Sequence, residues 1–130
     1  MIKYKNVFIV DDDKIYHFIL KNLFKKNNIS LSANFFENGF EALQNLEFSI
    51  QNNNVPDLIL LDLNMPVMDG WQFLEEFKKL KLTHNLTTEI YLVTSSNDVL
   101  DLKRAKNYEN EVSHYYLKPI SQEDILKIFE

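Results

Sequence analysis

Short, uninterrupted apolar runs stand out along the chain at residues 7–10 (VFIV), 58–61 (LILL) and 90–93 (IYLV). A continuous apolar run is typical of a central parallel strand, which is buried on both faces. Residues 30–35 and 112–117 instead mix apolar with polar side chains. Mixed strands suit the edges of a sheet, where one face or rim meets water. The pattern therefore predicts three central strands and two edge strands.

Helical spacing fills the intervals between these strands. The clearest case is a stripe at i, i+3, i+4, i+7 and i+8, which predicts a helix facing the core and is formed by Tyr16, Ile19, Leu20, Leu23 and Phe24. Four further helices are predicted from apolar sets at Phe40, Leu43, Leu46 and Ile50; Phe73, Leu74, Phe77 and Leu80; Val99, Leu100, Leu102 and Ala105; and Ile125, Leu126, Ile128 and Phe129. Residues suited to cap these helices are Asn38, Asp69 with Gln72, Ser96 or Asn97, and Ser121 with Asp124.

The predicted strands and helices alternate five times along the chain. Such alternation implies right-handed crossovers and a doubly wound α/β fold with a parallel five-stranded sheet. Three buried strands and two edge strands fit the flavodoxin-like (βα)5 arrangement with strand order 2-1-3-4-5.

Composition narrows the class of protein without identifying it. The chain has 130 residues, a formal net charge of −5 and no cysteine. The length fits one domain over residues 1–130, and the acidic balance argues against a nucleic-acid partner. Without cysteine there are no disulfides and no thiolate sites. The first apolar run is too short for a signal sequence or a membrane span, so we expect a soluble, cytoplasmic protein with no membrane partner.

Polar residues collect directly after four of the predicted strands. Asp11, Asp12 and Asp13 follow the first strand, Asp62 the third, Thr94 and Ser95 the fourth, and Lys118 the fifth. In open parallel sheets, ligands bind outside the carboxyl ends of the strands. We therefore expect these side chains to converge in one shallow cleft.

The chemistry of this set favours a phosphoryl group and a hard cation. Clustered carboxylates repel one another, and Mg²⁺ relieves that repulsion while also holding a phosphate. Asp62 is suited to act as a nucleophile that forms an acyl phosphate, and Lys118 is suited to neutralise a phosphoryl oxygen. A single Asp after a strand more often caps the next helix, and that is the better interpretation of Asp13.

Five segments, in order, carry a resemblance to a known family. They are VDDDK at 10–14, ENGFEAL at 37–43, PDLILLDLNMPVMDG at 56–70, VTSS at 93–96 and YYLKP at 115–119. From about residue 7 to residue 120 the chain resembles the response-regulator receiver domain of two-component signalling, in its single-domain, chemotaxis-regulator-like form. A DD pair or a KP pair alone is a weak signal, whereas DLNMPVMDG is specific.

The resemblance implies a role for each matching position. It implies that Asp62 is the phosphoacceptor, and that Asp11, Asp12, Asp62 and the backbone carbonyl of Asn64 hold Mg²⁺, or Mn²⁺ in its place. Thr94 and Lys118 would bind the phosphoryl group, with Thr94 and Tyr115 acting as the switch pair. The Lys118–Pro119 bond is expected to be cis. Asn64 and Ser96 would tune hydrolysis.

The resemblance also implies partners. The donor would be a sensor histidine kinase or a histidine phosphotransfer protein, and a downstream protein would bind the face formed by the fourth helix, fifth strand and fifth helix. Such a domain signals rather than acting as an enzyme, apart from assisting its own phosphotransfer and slow autodephosphorylation. Ile15 and Phe18 lie off the core stripe of the first helix, which suggests a docking patch for the donor. The histidines His17, His84 and His114 are expected to be structural or to lie at the surface, with His84 in a loop.

One departure from the family concerns the loop before the fifth strand. The family often has a glycine there, whereas this chain reads NYENEVSH, so the fourth helix runs on or the loop is stiffer. Two other classes of protein need a different sequence after the first strand. An aspartyl-phosphate hydrolase of the haloacid dehalogenase type needs a DxDx[TV] motif after the first strand, and a flavodoxin-like FMN module needs a phosphate loop rich in Ser, Thr and Gly there. This chain has DDDKI at that point.

Overall fold

A computed structural model describes residues 3–95 and 99–130 of the chain. The strands are β1 (Asn6–Val10), β2 (Ser32–Phe36), β3 (Leu58–Leu61), β4 (Glu89–Thr94) and β5 (Val112–Leu117). The α-helices are α1 (Lys14–Lys26), α2 (Gly39–Gln51), α3 (Gly70–His84), α4 (Val99–Ala105) and α5 (Gln122–Phe129), and a short 3₁₀ helix, Lys106–Tyr108, follows α4.

The five strands form one parallel sheet in the order β2-β1-β3-β4-β5. The fold class and strand order predicted from the sequence are therefore confirmed. All four residues of β3 are buried, as its continuous apolar run predicts. The edge strands β2 and β5 contain only partly buried and exposed residues. The contrast between continuous and mixed apolar runs in the sequence therefore distinguished the central strands from the edge strands correctly.

The core lies in two layers, one on each face of the sheet. Side chains of α1 and α5 pack on one face, and those of α2 and α3 pack on the other. The alternating direction of side chains along each strand divides the apolar residues between the layers, so that Ile9 and Leu60 face one side while Phe8 and Ile59 face the other.

Side chains cap the helices much as the sequence predicts. The Asp13 carboxylate accepts hydrogen bonds from the backbone N–H groups of Ile15 and Tyr16, which confirms it as the N-cap of α1. Asn38 caps α2, and capping boxes formed by Asp69 with Gln72 and by Ser121 with Asp124 begin α3 and α5. The candidate caps Ser96 and Asn97 for α4 lie outside the described residues.

The region from α3 to β5 departs from expectation at two points. His84 is the last residue of α3 rather than part of a loop, because that helix continues until Asn85, whose left-handed backbone ends it. The 3₁₀ helix extends α4 directly, so of the two alternatives for the loop that lacks glycine, a continued helical segment is the one observed. The α4 side chains, all of them described, include none that is buried, and Val99, Leu100 and Leu102 are exposed.

Within residues 3–95 and 99–130, no helix combines the length and apolar character needed to cross a membrane.

Candidate functional site

Backbone hydrogen bonds continue past the strand ends and fix the residues that follow them. The Asp11 N–H donates to the Phe36 carbonyl at 2.9 Å, and the Asp62 N–H donates to the Val10 carbonyl at 2.9 Å. On the other side of the sheet, the Lys118 N–H donates to the Thr94 carbonyl at 2.9 Å. These bonds hold Asp11, Asp62 and Lys118 at one edge of the sheet.

Three carboxylates meet at this edge. One oxygen each of Asp11, Asp12 and Asp62 lies within 4.8 Å of the others. Asp11 and Asp62 are buried, with 1% and 6% of their surface exposed, whereas Asp12 is exposed. Asp13 stands apart from this cluster, because its carboxylate is occupied in capping α1. The structure thus brings together the three carboxylates predicted to hold a metal.

Burial and mutual repulsion make the buried pair costly to ionise. Desolvation raises the pKa of Asp62, and the charge of Asp11 raises that pKa further. Desolvation also raises the pKa of Asp11, although the hydrogen bond from Lys118 opposes it. Two buried carboxylates and an exposed one, all oxygen donors, fit a hard divalent cation, which would remove much of this cost.

Lys118 is the cation of the site. Its Nζ donates to Asp11 Oδ2 at 2.5 Å and lies 3.5 Å from Asp62 Oδ2. Burial alone would lower the pKa of Lys118, but the hydrogen bond and charge of Asp11, together with the charge of Asp62, outweigh it and raise that pKa. The Lys118–Pro119 peptide bond is cis, as the resemblance implied.

Asp62 accepts hydrogen bonds from two other directions. The backbone N–H of Leu63 donates to its Oδ1 at 2.9 Å, and the hydroxyl of Thr94 donates to its carboxylate. Thr94 is fully buried at the end of β4. Both bonds favour the ionised carboxylate, which is the form that acts as a nucleophile.

The loop that joins β3 to α3 approaches Asp62 closely. A Cβ atom added to Gly70 would lie 2.4 Å from the backbone oxygen of Asp62, so only glycine fits there. Val67 adopts a positive φ of 68°, and the Met68 N–H donates to the Pro66 carbonyl at 2.7 Å, which closes a tight turn. Asn64, predicted to give its carbonyl to a metal, lies in this loop with an exposed side chain.

The remaining described residues of the predicted site lie on β5 and α1. Tyr115 is half-buried in β5 and packs against the core layer of α2 and α3. Ile15 and Phe18 project from α1 with 71% and 65% of their surface exposed. Ser96 lies outside the described residues.

Two residues of α1 have surroundings that their sequence pattern did not reveal. Tyr16 belongs to the core stripe, but its ring lies 4.6 Å from Lys118 Nζ, and its pKa is raised first by desolvation and then by the charges of Asp11 and Asp62. His17 is buried against Phe35 rather than at the surface, which favours its structural interpretation. Helical spacing marks which side chains face inward, but it does not show which of them meet a strand end.

This chain spans most of one curated relative and a small part of another. It is 26% identical over 125 residues to the probable methanogenesis regulatory protein FilR2 of Methanothrix harundinacea, covering 95% of this chain and 78% of FilR2. It is 31% identical over 117 residues to the sensor histidine kinase CheAY of Helicobacter pylori, covering 90% of this chain but only 13% of CheAY.

Solved structures share the fold. A two-component response regulator from Cytophaga hutchinsonii superposes with a TM-score of 0.84 at 24% identity, covering 97% of this chain and 94% of that chain. The phosphorylated cyanobacterial phytochrome response regulator RcpA gives 0.78 at 25% identity, covering 96% and 88%. The Mn²⁺-bound form of Rcp1, from Synechocystis, gives 0.71 at 27% identity, covering 95% and 88%.

The family model for the response regulator receiver domain matches residues 7–130, nearly the whole chain. Together with the sheet order and the carboxylate edge, this match shows that the chain belongs to the response regulator receiver domain family.

Proposed function

We propose that residues 1–130 form one cytoplasmic receiver domain, which takes a phosphoryl group onto Asp62 from a histidine kinase or a histidine phosphotransfer protein. The observation that carries this proposal is the set of contacts around Asp62. Its carboxylate lies among two further carboxylates, a lysine ammonium and a threonine hydroxyl. RcpA, a relative of the same fold, has been solved in a phosphorylated form, which supports the same chemistry here.

The proposed reaction is an in-line transfer. An oxygen of Asp62 attacks phosphorus, the P–N bond of the donor phosphohistidine breaks, and its electrons stay on the imidazole nitrogen. The Leu63 N–H holds one oxygen of Asp62, which leaves the other, 3.5 Å from Lys118 Nζ, to attack. Lys118 and Thr94 would meet oxygens of the transferred group and stabilise its charge.

A divalent cation, Mg²⁺ or Mn²⁺, would be held by Asp11, Asp12, Asp62 and the carbonyl of Asn64. When bound, it would neutralise charge on the phosphoryl oxygens. The burial of Asp11 and Asp62 supports this assignment, because desolvation and the charge of Asp11 raise the pKa of Asp62 even beside Lys118. Rcp1 has been solved with Mn²⁺, which supports a site for a divalent cation in this family.

Signalling would follow from a rearrangement of two side chains. Thr94 donates to Asp62 before phosphorylation, and we propose that it turns to the phosphoryl group afterwards. Tyr115, half-buried on the neighbouring strand, would then move inward. The change would be read by a downstream protein on the α4-β5-α5 face, as a population shift between two states.

The acceptor assignment is tested by labelling with acetyl phosphate and Mg²⁺. We expect Asp62→Asn to abolish labelling, because an amide cannot form the acyl phosphate. The matched control is Asp57→Asn, which changes the exposed carboxylate at the opposite end of the same strand and should leave labelling intact. Persistent labelling of Asp62→Asn would refute the proposal.

We propose further that Ile15 and Phe18 form a docking patch for the phosphoryl donor. Both are exposed and lie in the first two turns of α1, the helix that follows Asp11 and Asp12 in the chain. Replacing both with Glu should slow transfer from the cognate kinase by about tenfold and spare labelling by acetyl phosphate. Phe48→Glu on α2 and Leu82→Glu on α3 change equally exposed side chains and serve as controls. Equal slowing with both donors would contradict the docking role.

A further inference from the structure

We infer that Tyr16 is a positioning residue for Lys118, an inference that rests on the proposed function of that lysine. The aromatic ring of Tyr16 would hold the ammonium group at the point where it meets the phosphoryl group on Asp62. Neither the family match nor the similar proteins assign a role to this position.

The geometry places the ammonium between a carboxylate and a ring. Lys118 Nζ donates to Asp11 and lies 4.6 Å from the centroid of the Tyr16 ring. A cation within about 6 Å of a tyrosine ring is attracted by its negative face, more strongly where water is excluded. Both side chains are largely shielded from water, since Tyr16 is buried and only 18% of the Lys118 side chain is exposed.

The two contacts of Lys118 differ in how much of its positive charge they leave available to a phosphoryl group. Asp11 is a charged partner, and it would also be a ligand of the metal when one is bound, which weakens its hold on the lysine. The ring carries no net charge, so it holds the ammonium without neutralising it. The charge of Lys118 then remains available to a phosphoryl oxygen.

The backbone of Tyr16 is fixed independently of this contact. Its N–H donates to the capping carboxylate of Asp13, so the first turn of α1 sets the height of the ring above the sheet edge. The Tyr16 hydroxyl is buried and has no hydrogen-bond partner among the residues that the structure describes. Tyr16→Phe therefore removes the hydroxyl without breaking a bond seen there, and it keeps the ring.

The test is a series of variants at position 16 that change the ring's charge distribution at nearly constant shape. Phenylalanine and its mono-, di- and trifluorinated analogues are incorporated at this site, and the maximal rate of labelling by acetyl phosphate is measured. We expect Tyr16→Phe to keep the wild-type rate and the rate to fall in steps with fluorination. Tyr16→Leu should lose roughly 3- to 30-fold. The Mg²⁺ concentration for half-maximal labelling should stay constant, since Tyr16 supplies no metal ligand.

The same substitutions at Phe24 provide a matched control. Phe24 is also a buried aromatic residue of α1, and it packs against Phe129 with no cation seen over its ring in the described part of the chain. Fluorination there should leave the rate unchanged. The inference is overturned if the labelling rate does not change with fluorination at position 16. It is also overturned if the labelling rate falls equally with fluorination at position 24.

A readout that does not depend on phosphorylation tests the contact itself. In the nuclear magnetic resonance spectrum, the methylene protons next to Lys118 Nζ should be shifted upfield by the ring in the wild type and in Tyr16→Phe, and should return to ordinary values in Tyr16→Leu. Unshifted protons in the wild type overturn the inference. A wild-type chain that takes no phosphoryl group overturns the proposed function itself, whereas a labelled wild type whose fluorinated variants keep its rate overturns only the role of Tyr16.

Discussion

Val67 holds a backbone conformation that its own side chain disfavours. Its φ of 68° lies in the left-handed region, and a β-branched residue is a genuine outlier there. The side chain is 78% exposed, so its packing contributes little stability that could offset the backbone strain. The strained residue lies in the loop between β3 and α3, and Gly70 at the end of this loop approaches the backbone of Asp62 closely.

Relieving that strain should stabilise the protein. We expect Val67→Asn to raise the free energy of unfolding by about 1 kcal/mol, because Asn tolerates the left-handed region well. Urea unfolding measures the difference. Val99→Asn, at an exposed valine of a helix, is the control and should give no gain. An unchanged or lower stability for Val67→Asn would show that the turn is not strained.

Asp62 makes the fold sensitive to pH in a definite direction. Its pKa is raised in the folded protein, so its contribution to stability is complete below the ordinary Asp pKa of about 3.9 and is lost as pH rises through the raised folded value. Without metal, Asp62→Asn should therefore be more stable at neutral pH, by roughly 1 kcal/mol or a few degrees in Tm.

That effect is measured as the difference in Tm between variant and wild type across pH 4 to 8. The difference should grow as pH rises and shrink when Mg²⁺ is added, since the cation would relieve the repulsion in the wild type. Glu47→Gln, which removes an exposed carboxylate of α2 away from the cluster, controls for the loss of one negative charge. A difference independent of pH would contradict the raised pKa.

At the scale of elements, the position of α3 depends on its first residue. Gly70 donates its N–H to the Leu63 carbonyl at 2.9 Å, and an added Cβ would collide with the backbone of Asp62 and Leu63. The N-terminus of α3 therefore sits directly on the chain that leaves β3, with no space for a side chain.

Gly70→Ala should cost about 2 kcal/mol of stability and slow phosphorylation, because the helix or the acceptor loop must move. Helix propensity alone would predict the opposite sign, since Ala is the better helix former. Chemical denaturation and acetyl-phosphate labelling measure the two effects. Gly39→Ala, whose Cβ would meet the Met68 oxygen at 2.9 Å, should cost less. A stability gain in Gly70→Ala would mean that the loop yields easily.

The positions of the strands and helices were largely predictable from the sequence, whereas the tertiary contacts of their side chains were less so. Continuous apolar runs identified β1, β3 and β4, and Asp13, Asp69 and Ser121 marked helix starts through their capping chemistry. The acid cluster followed from the rule that parallel strands end at one edge. Apolar spacing predicted α4 as a helix but gave no sign that its side chains stay at the surface, since burial there depends on neighbours distant in sequence.

Tyr16 shows the same limit at the candidate site. A position in a helical stripe indicates that a side chain faces the sheet, but not which strand end it meets. Its contact with Lys118 joins residues far apart in the chain, and only the crossover geometry brings them together. The strain at Val67 was likewise invisible in the sequence, because valine is a residue that patterns do not associate with a left-handed turn.

Across the whole molecule, stability should fall toward one side of the sheet. Five residues of α3 are buried, including Trp71 and Phe77, whereas the fully described α4 has no buried residue. Few buried contacts mean that a segment opens locally at low cost. The helix α4, which belongs to the face proposed to change on phosphorylation, is thus held less firmly than α3.

Hydrogen exchange should reveal this gradient. We expect the amides of α4 to exchange about 100-fold faster, or more, than those in the middle of α3. The comparison of the two helices within one sample controls for pH and temperature. Protection in α4 equal to that in α3 would show that exposed side chains do not report local stability here.

The chain has only two glycines, and both are the first residues of helices that touch the loop between β3 and α3. Gly70 meets the backbone of Asp62, and Gly39, on a different helix, donates to the Met68 carbonyl at 3.0 Å. In a saturation-mutagenesis survey scored by phosphorylation, substitutions that lower the signal should therefore be found outside the acceptor loop as well as within it. Side chains larger than alanine at position 39 should lower phosphorylation, although this position lies in another helix and holds no chemical group that could take part in the reaction.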